Sequence, residues 1–207
     1  MDKQIIINIG RQLGSGGHDI GRMLALDFQA RYYDREILNL AAKESGFAPE
    51  IFEQNDEKKG FFRSFLHLPY NNGSGGTDFY QNDFSQEGLF KFQSDAIRKA
   101  ALESSCVFVG RCADYVLRDF PNVVNIFITA SIDFRINQVM EKQHITHQEA
   151  LKRIEHGESK RAEFYNYYTG KKWGYAPSYD LCIDSSVLGL METEKFISEF
   201  IRKKFSL

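Results

Sequence analysis

The sequence predicts an α/β layered fold built on a parallel sheet, and three observations carry that prediction. Compact apolar runs recur along the chain as "QIIINIG", "CVFVG" and "NVVNIFITA". Each is short and rich in β-branched residues, as strands buried on both faces are. Amphipathic helical segments separate them, and strands alternating with helices are the pattern of parallel crossover units.

Taken in order, "QIIINIG" is a first buried strand, ending at Gly10. From Gly17, "GHDIGRMLALDFQA" sets Ile20, Leu24 and Phe28 four apart with Met23 on the same side, which is an amphipathic helix. "RYYDREILNLAAKESG" gives a short aromatic segment as a second strand. A capping Asp34 and a helix burying Ile37, Leu38, Ala41 and Ala42 follow, with Gly46 as the stop. Residues 47–85 carry no sustained period beyond a helix start at Pro49. Five phenylalanines between Phe61 and Phe84 speak against a disordered linker, so this reads as an irregular insertion. "QEGLFKFQSDAIRKAALESS" resumes a helix leading into "CVFVG". "NVVNIFITA" precedes a helix capped by Ser131, and Thr146 with Glu149 forms a capping-box match opening a long charged helix. "YDLCIDSS" is a last short strand, and "LMETEKFISEFIRKKF" a closing amphipathic helix.

The 207 residues suit one domain, and 43% hydrophobic with 26% charged residues is the profile of a globular protein. A formal net charge of -2 supplies no positive field to recruit nucleic acid. No apolar run approaches the roughly 20 residues of a membrane helix. The amino-terminal run reads as a strand rather than a signal peptide. Cys106, Cys112 and Cys182 form no CxxC pair, consistent with reduced thiols. A cytoplasmic protein without nucleic-acid or membrane partners is the expectation; the oligomeric state stays open.

In parallel sheets ligands bind beyond the carboxyl ends of strands. That singles out the segment from Arg11 to His18, then Asp34 and Arg35, Arg111 and Asp114, Ser131 and Asp133, and Asp184 to Ser186. The tetrapeptide Gly14-Ser15-Gly16-Gly17 lies between a strand and a helix, where glycines turn backbone N–H groups toward an anion. The same four letters at Gly73 to Gly76 lack that context and read as a loop. The first copy is not a standard P-loop. Aligned on Gly16, GxxxxGK[ST] meets Arg11 at its first glycine, Gly17 at its lysine and His18 at its hydroxyl. Gly14 and Gly16 also begin a GxGxxG match that fails at Asp19, although Asp34 lies 20 positions after Gly14, where a ribose-binding acid falls. A nicotinamide-dependent oxidoreductase therefore stays open beside phosphoryl transfer. Phosphoryl transfer needs convergent cations, and Arg11, Arg35, Arg111 and Arg135 all fall at this edge. Lys152, Arg153, Lys160 and Arg161 crowd the long charged helix, as a lid or as a solvated face. His144 and His147 lack a nearby third ligand and read as a helix start rather than a metal site. Trp173 with Tyr165, Tyr167, Tyr168 and Tyr175 either stacks a base or packs the helix on the body.

With those residues in place, the chain resembles the cytidylate kinase-like family, a branch of the P-loop nucleoside monophosphate kinases. "IIINIGRQLGSGGHDIGRMLA" is similar to that family's arginine-containing, lysine-free glycine loop. "YYDREILNLAAKESG", "VFVGRCADYVL", "IFITASIDFRI", "KRAEFYNYYTGKKWG" and "YDLCIDSS" resemble its further blocks in the right order. The resemblance implies a three-layer P-loop kinase-type fold with a five-stranded parallel sheet flanked by helices. It also implies an NMP-binding insertion near 35–100, a helical lid near 146–174, and transfer of the ATP γ-phosphoryl group to a nucleoside monophosphate such as CMP with Mg²⁺. It further implies that Gly14, Ser15, Gly16, Gly17 and His18 hold the ATP phosphates. Asp34, Arg35, Arg111 and Asp114 would hold the acceptor, Lys160 and Arg161 would be catalytic lid cations, and Arg135 would touch the donor base. Arg11 is the expected substitute for the missing lysine, with Mg²⁺ held by phosphates and water rather than by protein ligands. A nucleotide-binding module without catalysis is the alternative.

Overall fold

The computed structural model describes residues 4–34 and 81–207. Its five strands are β1 (Ile6–Arg11), β2 (Arg31–Tyr33), β3 (Cys106–Val109), β4 (Val123–Thr129) and β5 (Leu181–Asp184). They form one sheet in the order β2-β3-β1-β4-β5, and every pairing is parallel. The central strand β1 sets Ile7 beside both Val107 and Val124. Dinucleotide-binding sheets run 3-2-1-4-5-6, so the nicotinamide reading loses the sheet it depends on.

Strand alternation explains the layers. Ile5, Ile7 and Ile9 pack toward α1 (Gly17–Asp27) and α6 (Ser185–Phe205), meeting Ile20, Leu24, Ile197 and Ile201. Ile6 packs on the other face with Phe108 and Tyr33 against Ile97, Ala100 and Ala101 of α2 (Gln81–Glu103). After β3 comes a short α3 (Ala113–Val116); α4 (Ile132–Gln143) and α5 (His147–Thr169) form a third cluster around Ile136, Val139, Ala150 and Ile154. A 3-10 turn at Ala176–Ser178 leads into β5.

The caps behave as their sequences require. Ser131 Oγ accepts from Phe134 N, and Thr146 and Glu149 exchange side-chain bonds with each other's backbone amides. His144 is the left-handed C-cap of α4 and His147 the first residue of α5, so the two histidines belong to a helix junction. Two boundaries differ from expectation. Helix α2 begins at Gln81, inside the stretch read as irregular, because its polar first turn has no apolar period to detect. Helix α6 starts at Ser185 and is interrupted at Gly189, whose φ of 75° breaks the periodicity there. The expected helix over Ile37 to Ala42, Arg35, the start at Pro49 and the second glycine tetrapeptide lie outside the described residues. All three cysteines are free thiols. No helix among the described residues is long and apolar enough to cross a membrane.

Candidate functional site

The site is built where β1 passes into α1. Gly14 and Gly16 take φ of 82° and 73°, the left-handed region that favours glycine. Both also lie against neighbours that leave no room for a Cβ: it would fall 2.5 Å from the Arg135 carbonyl oxygen at Gly14 and 2.2 Å from a Leu190 methyl at Gly16. Gly16 caps α1 with no side-chain hydrogen bond. The first amides of that helix therefore donate to no capping side chain, and unmet amides with the helix dipole behind them are what an anion site uses. Ser15 faces inward instead. It is fully buried, its Oγ donates to Gln12 O (2.9 Å), and its carbonyl accepts from Ser185 Oγ (2.7 Å).

Gly17 stands at the lysine position for a visible reason. A Cβ there would lie 2.6 Å from Cβ of Arg11, whose stem fills the space. The guanidinium continues to Gly110, where an added Cβ would meet Arg11 Nη1 at 2.2 Å. Arg11 Nη2 donates to His18 Nε2 (3.2 Å) and lies 3.9 Å from Asp34 Oδ1. A guanidinium only donates, so His18 Nε2 accepts and Nδ1 carries the hydrogen, 2.9 Å from Asp34 Oδ2. Tyr32 OH stands 3.2 Å from the same Nδ1. Burial, with help from Arg11 and Arg161, lowers the His18 pKa against the opposing pull of Asp34, which favours the neutral imidazole. Burial pushes Asp34 up, but the His18 hydrogen bond and the charges of His18, Arg11 and Arg111 outweigh it and hold the carboxyl at about 2.

Two further arginines close on this group. Arg161 of α5 is buried and donates from Nη1 to Arg11 O (3.2 Å). Burial first, and then repulsion from Arg11, lowers its pKa. Arg111 follows β3 in a run of three left-handed residues, Gly110, Arg111 and Cys112, with φ of 79°, 64° and 54°. Two of these are not glycine, a conformation that is costly and typical of sites where backbone must be aimed. Arg111 is buried, and its charge reaches Asp34. Asp114 is buried too: its Oδ2 accepts from Tyr165 OH at 2.6 Å, tying α5 to the end of β3, and burial raises its carboxyl pKa. Lys160 is half-buried, and burial lowers its pKa.

The back of the turn is different. Arg135 Nε donates to Leu13 O (2.9 Å), and its Nη2 meets Glu158 Oε1 at 2.9 Å. Glu158 also accepts from Leu13 N (3.1 Å). Glu158 is not among the residues expected at the site, because a carboxylate on a charged helix reads as solvated. Its signal was the spacing Ile154, Glu158, Arg161, one inward stripe of α5. Tyr32 also joins the site from outside the singled-out residues, while Tyr165, one of the aromatics of the charged helix, is bonded to Asp114. The structure thus gathers Arg11, His18, Arg111 and Arg161 about Asp34 beside the glycine turn, sets Arg135 against Gly14, and bonds Asp114 to Tyr165. Arg35 lies outside the described residues.

Residues 6–187 match the family model described as the cytidylate kinase-like family. No curated protein matches the sequence. Among solved structures, an uncharacterized protein from Eubacterium ventriosum is 28% identical, with a TM-score of 0.72 over 96% of this chain and 98% of its own. Two shikimate kinases share the fold. The one from Bacteroides thetaiotaomicron is 11% identical, with a TM-score of 0.55 over 98% and 99% of the two chains. The one from Acinetobacter baumannii, in complex with shikimate, is 10% identical, with a TM-score of 0.54 over 98% and 96%. The five-stranded parallel sheet flanked by helices is that of a P-loop kinase-type fold, which these neighbours share.

Proposed function

The chain belongs to the cytidylate kinase-like family, and from that premise we propose that it transfers the γ-phosphoryl group of ATP to a nucleoside monophosphate, CMP or a related small acceptor. The observation that carries the reading is the convergence of Arg11, Arg111 and Arg161 on Asp34, beside the uncapped amino end of α1. Buried like charges repel, and a polyanion at the turn relieves that repulsion.

In this reading the glycine turn and the first α1 amides hold the ATP phosphates. Arg111, with Arg35, holds the acceptor phosphate. An acceptor oxygen attacks the γ-phosphorus, the bond to the bridging oxygen breaks, and ADP leaves. The acceptor phosphate is already ionised, so the step needs no base; it needs alignment and charge neutralisation. Arg11 supplies that charge from the space a lysine stem would fill, as a planar fork matched to phosphate oxygens. Arg161 and Lys160 add charge from α5. Arg11 is why we prefer catalysis to a binding module without turnover.

Mg²⁺ commonly accompanies ATP, and the donor set here does not form a protein cage for it. Among the described residues no group of three or more His, Cys, Asp or Glu is placed to hold a metal. Asp34 is engaged with His18 and Arg11. The ion would arrive on the ATP phosphates with its waters.

The test is ADP release from ATP with CMP, UMP, AMP, GMP and dCMP in turn, with shikimate added because solved neighbours are shikimate kinases. Turnover with one monophosphate well above the rest is expected. Protein that binds ATP yet turns over none of them would overturn the proposal in favour of a binding module.

A further inference from the structure

We propose that Gln93 of α2 recognises the base edge of the acceptor, making the site selective for a nucleoside monophosphate over a bare sugar phosphate; this rests on the phosphotransferase reading above. Gln93 is 1% exposed, and neither its Oε1 nor its Nε2 has a hydrogen-bond partner. Buried carboxamides are almost always paired, because an unmet donor and acceptor cost stability. The conclusion is the same whichever way round the amide is assigned, since both atoms are unmet.

Its place in the fold says what it serves. Helix α2 ends at Glu103 and β3 starts at Cys106, so the helix runs opposite to the strands and its earlier turns lie over their carboxyl ends. Gln93 is three residues after Phe90 and four before Ile97, on one helix face. Phe90 stacks on Tyr168 of α5 with ring centroids 4.0 Å apart. Ile97 packs with Tyr33, Phe108 and Ala113, the residues that lead into Asp34, lead into Gly110 and Arg111, and precede Asp114. Gln93 therefore lies between the α2–α5 contact and the ends of β2 and β3, the half of the site assigned to the acceptor.

The chemistry is complementary to a base. A carboxamide presents one acceptor and two donors on a flat group that pairs with an amino group beside a ring nitrogen, or with a ring N–H beside a carbonyl. The phosphate end offers only acceptors and is met by the arginines. A neutral edge that carries a donor next to an acceptor is what the arginines cannot read and Gln93 can. Sites built on buried hydrogen-bonding groups discriminate strongly against molecules that leave them unpaired.

The experiment compares wild type with Gln93→Met, which keeps the length of the side chain and removes both polar atoms. Binding of CMP, UMP, AMP, GMP, ribose 5-phosphate and ATP is measured by calorimetry, and ligand-free melting is recorded for both proteins. At least one monophosphate is expected to bind wild type roughly tenfold more tightly than ribose 5-phosphate. In Gln93→Met that preference disappears, while the affinities for ribose 5-phosphate and ATP stay within about twofold and melting is equal or higher. The proposal is overturned if the variant keeps the preference, if wild type shows none, or if the ligand-free variant melts lower, which marks Gln93 as a purely structural group. Failure to bind ATP counts against the phosphotransferase reading alone, and the comparison of monophosphates with ribose 5-phosphate still decides the role of Gln93.

Discussion

Arg11 and Arg135 flank the same glycine turn and are buried alike, 4% and 5% exposed, yet they keep different company. Arg135 ends on Glu158 at 2.9 Å and on the Leu13 carbonyl, a bonded pair that braces the turn from behind. Arg11 lies at 3.9 Å from a carboxylate that is committed to His18, with Arg161 bonded to its own carbonyl and repelling it. Burial alone therefore does not mark a functional arginine. What distinguishes the two is their company: Arg135 has a carboxylate at 2.9 Å, whereas Arg11 shares Asp34 with His18 and sits beside Arg161. Under the proposed function Arg135 is a brace of the turn and Arg11 a group for the phosphates.

Exchanging the two roles should fail, and that gives the largest expected effect. Arg11→Ala is expected to lower kcat by about a thousandfold or more, the scale of an arginine acting on a transferring phosphoryl group, with ATP affinity changed far less. Arg135→Ala is expected to do the reverse. It should cost about 3 kcal/mol of stability by leaving Glu158 without its cation, read as a lower urea midpoint, with kcat close to wild type wherever the protein is folded. If both variants lose only stability, the contrast between the two arginines collapses.

The glycine at position 17 sharpens the comparison. Gly17→Lys restores the standard loop letter but drives a side chain into the Arg11 stem, and overpacking of this kind costs about 1–3 kcal/mol. The double variant Arg11→Gly with Gly17→Lys removes the clash and returns a cation to the turn. It is expected to exceed either single variant in kcat by about tenfold, a coupling expected only of residues in contact. Strict additivity would mean that Arg11 and Gly17 are unrelated.

Asp34 gives a pH signature. Its carboxyl falls from 3.8 when unfolded to about 2 in the fold. A lowered folded pKa contributes stability above the unfolded value and loses it as pH drops from about 4 toward 2, a contribution of about 2 kcal/mol. Asp34→Asn should be less stable by about that amount at pH 7 and should flatten this part of the acid limb of a denaturation series. His18 acts in the same direction at higher pH. Its folded pKa lies below 6.5, so stability rises with pH until the imidazole is neutral in both states. The smallest effect belongs to a region remote from both arginines: Thr146→Ala breaks the capping box of α5 and should cost about 1 kcal/mol without changing kcat.

What the sequence revealed follows a physical rule about range. The caps at Ser131 and Thr146 were legible because donor and acceptor lie three residues apart. The strands at Ile6–Arg11 and Val123–Thr129 were legible because a central parallel strand is apolar on both faces. The first turn of α2 was not, being polar, and the break at Gly189 hides inside an otherwise periodic helix. For the site, the strand-edge rule picked out Arg11, Asp34 and Arg111 together. It could not show that Gly17 is small because of Arg11, since that depends on the path of a side chain across the turn. Nor could it find Glu158 or the Tyr165–Asp114 bond, whose partners lie 145 and 51 residues away along the chain. Contacts of that range leave no local pattern.

The most direct test of the role given to Arg11 is the crystal structure of the protein with a non-hydrolysable ATP analogue and CMP. The guanidinium is expected to move off His18 and donate to an oxygen of the γ-phosphate at about 3 Å, while Arg135 stays on Glu158. A γ-phosphate bound at the turn with Arg11 still on His18 and Asp34 would contradict it.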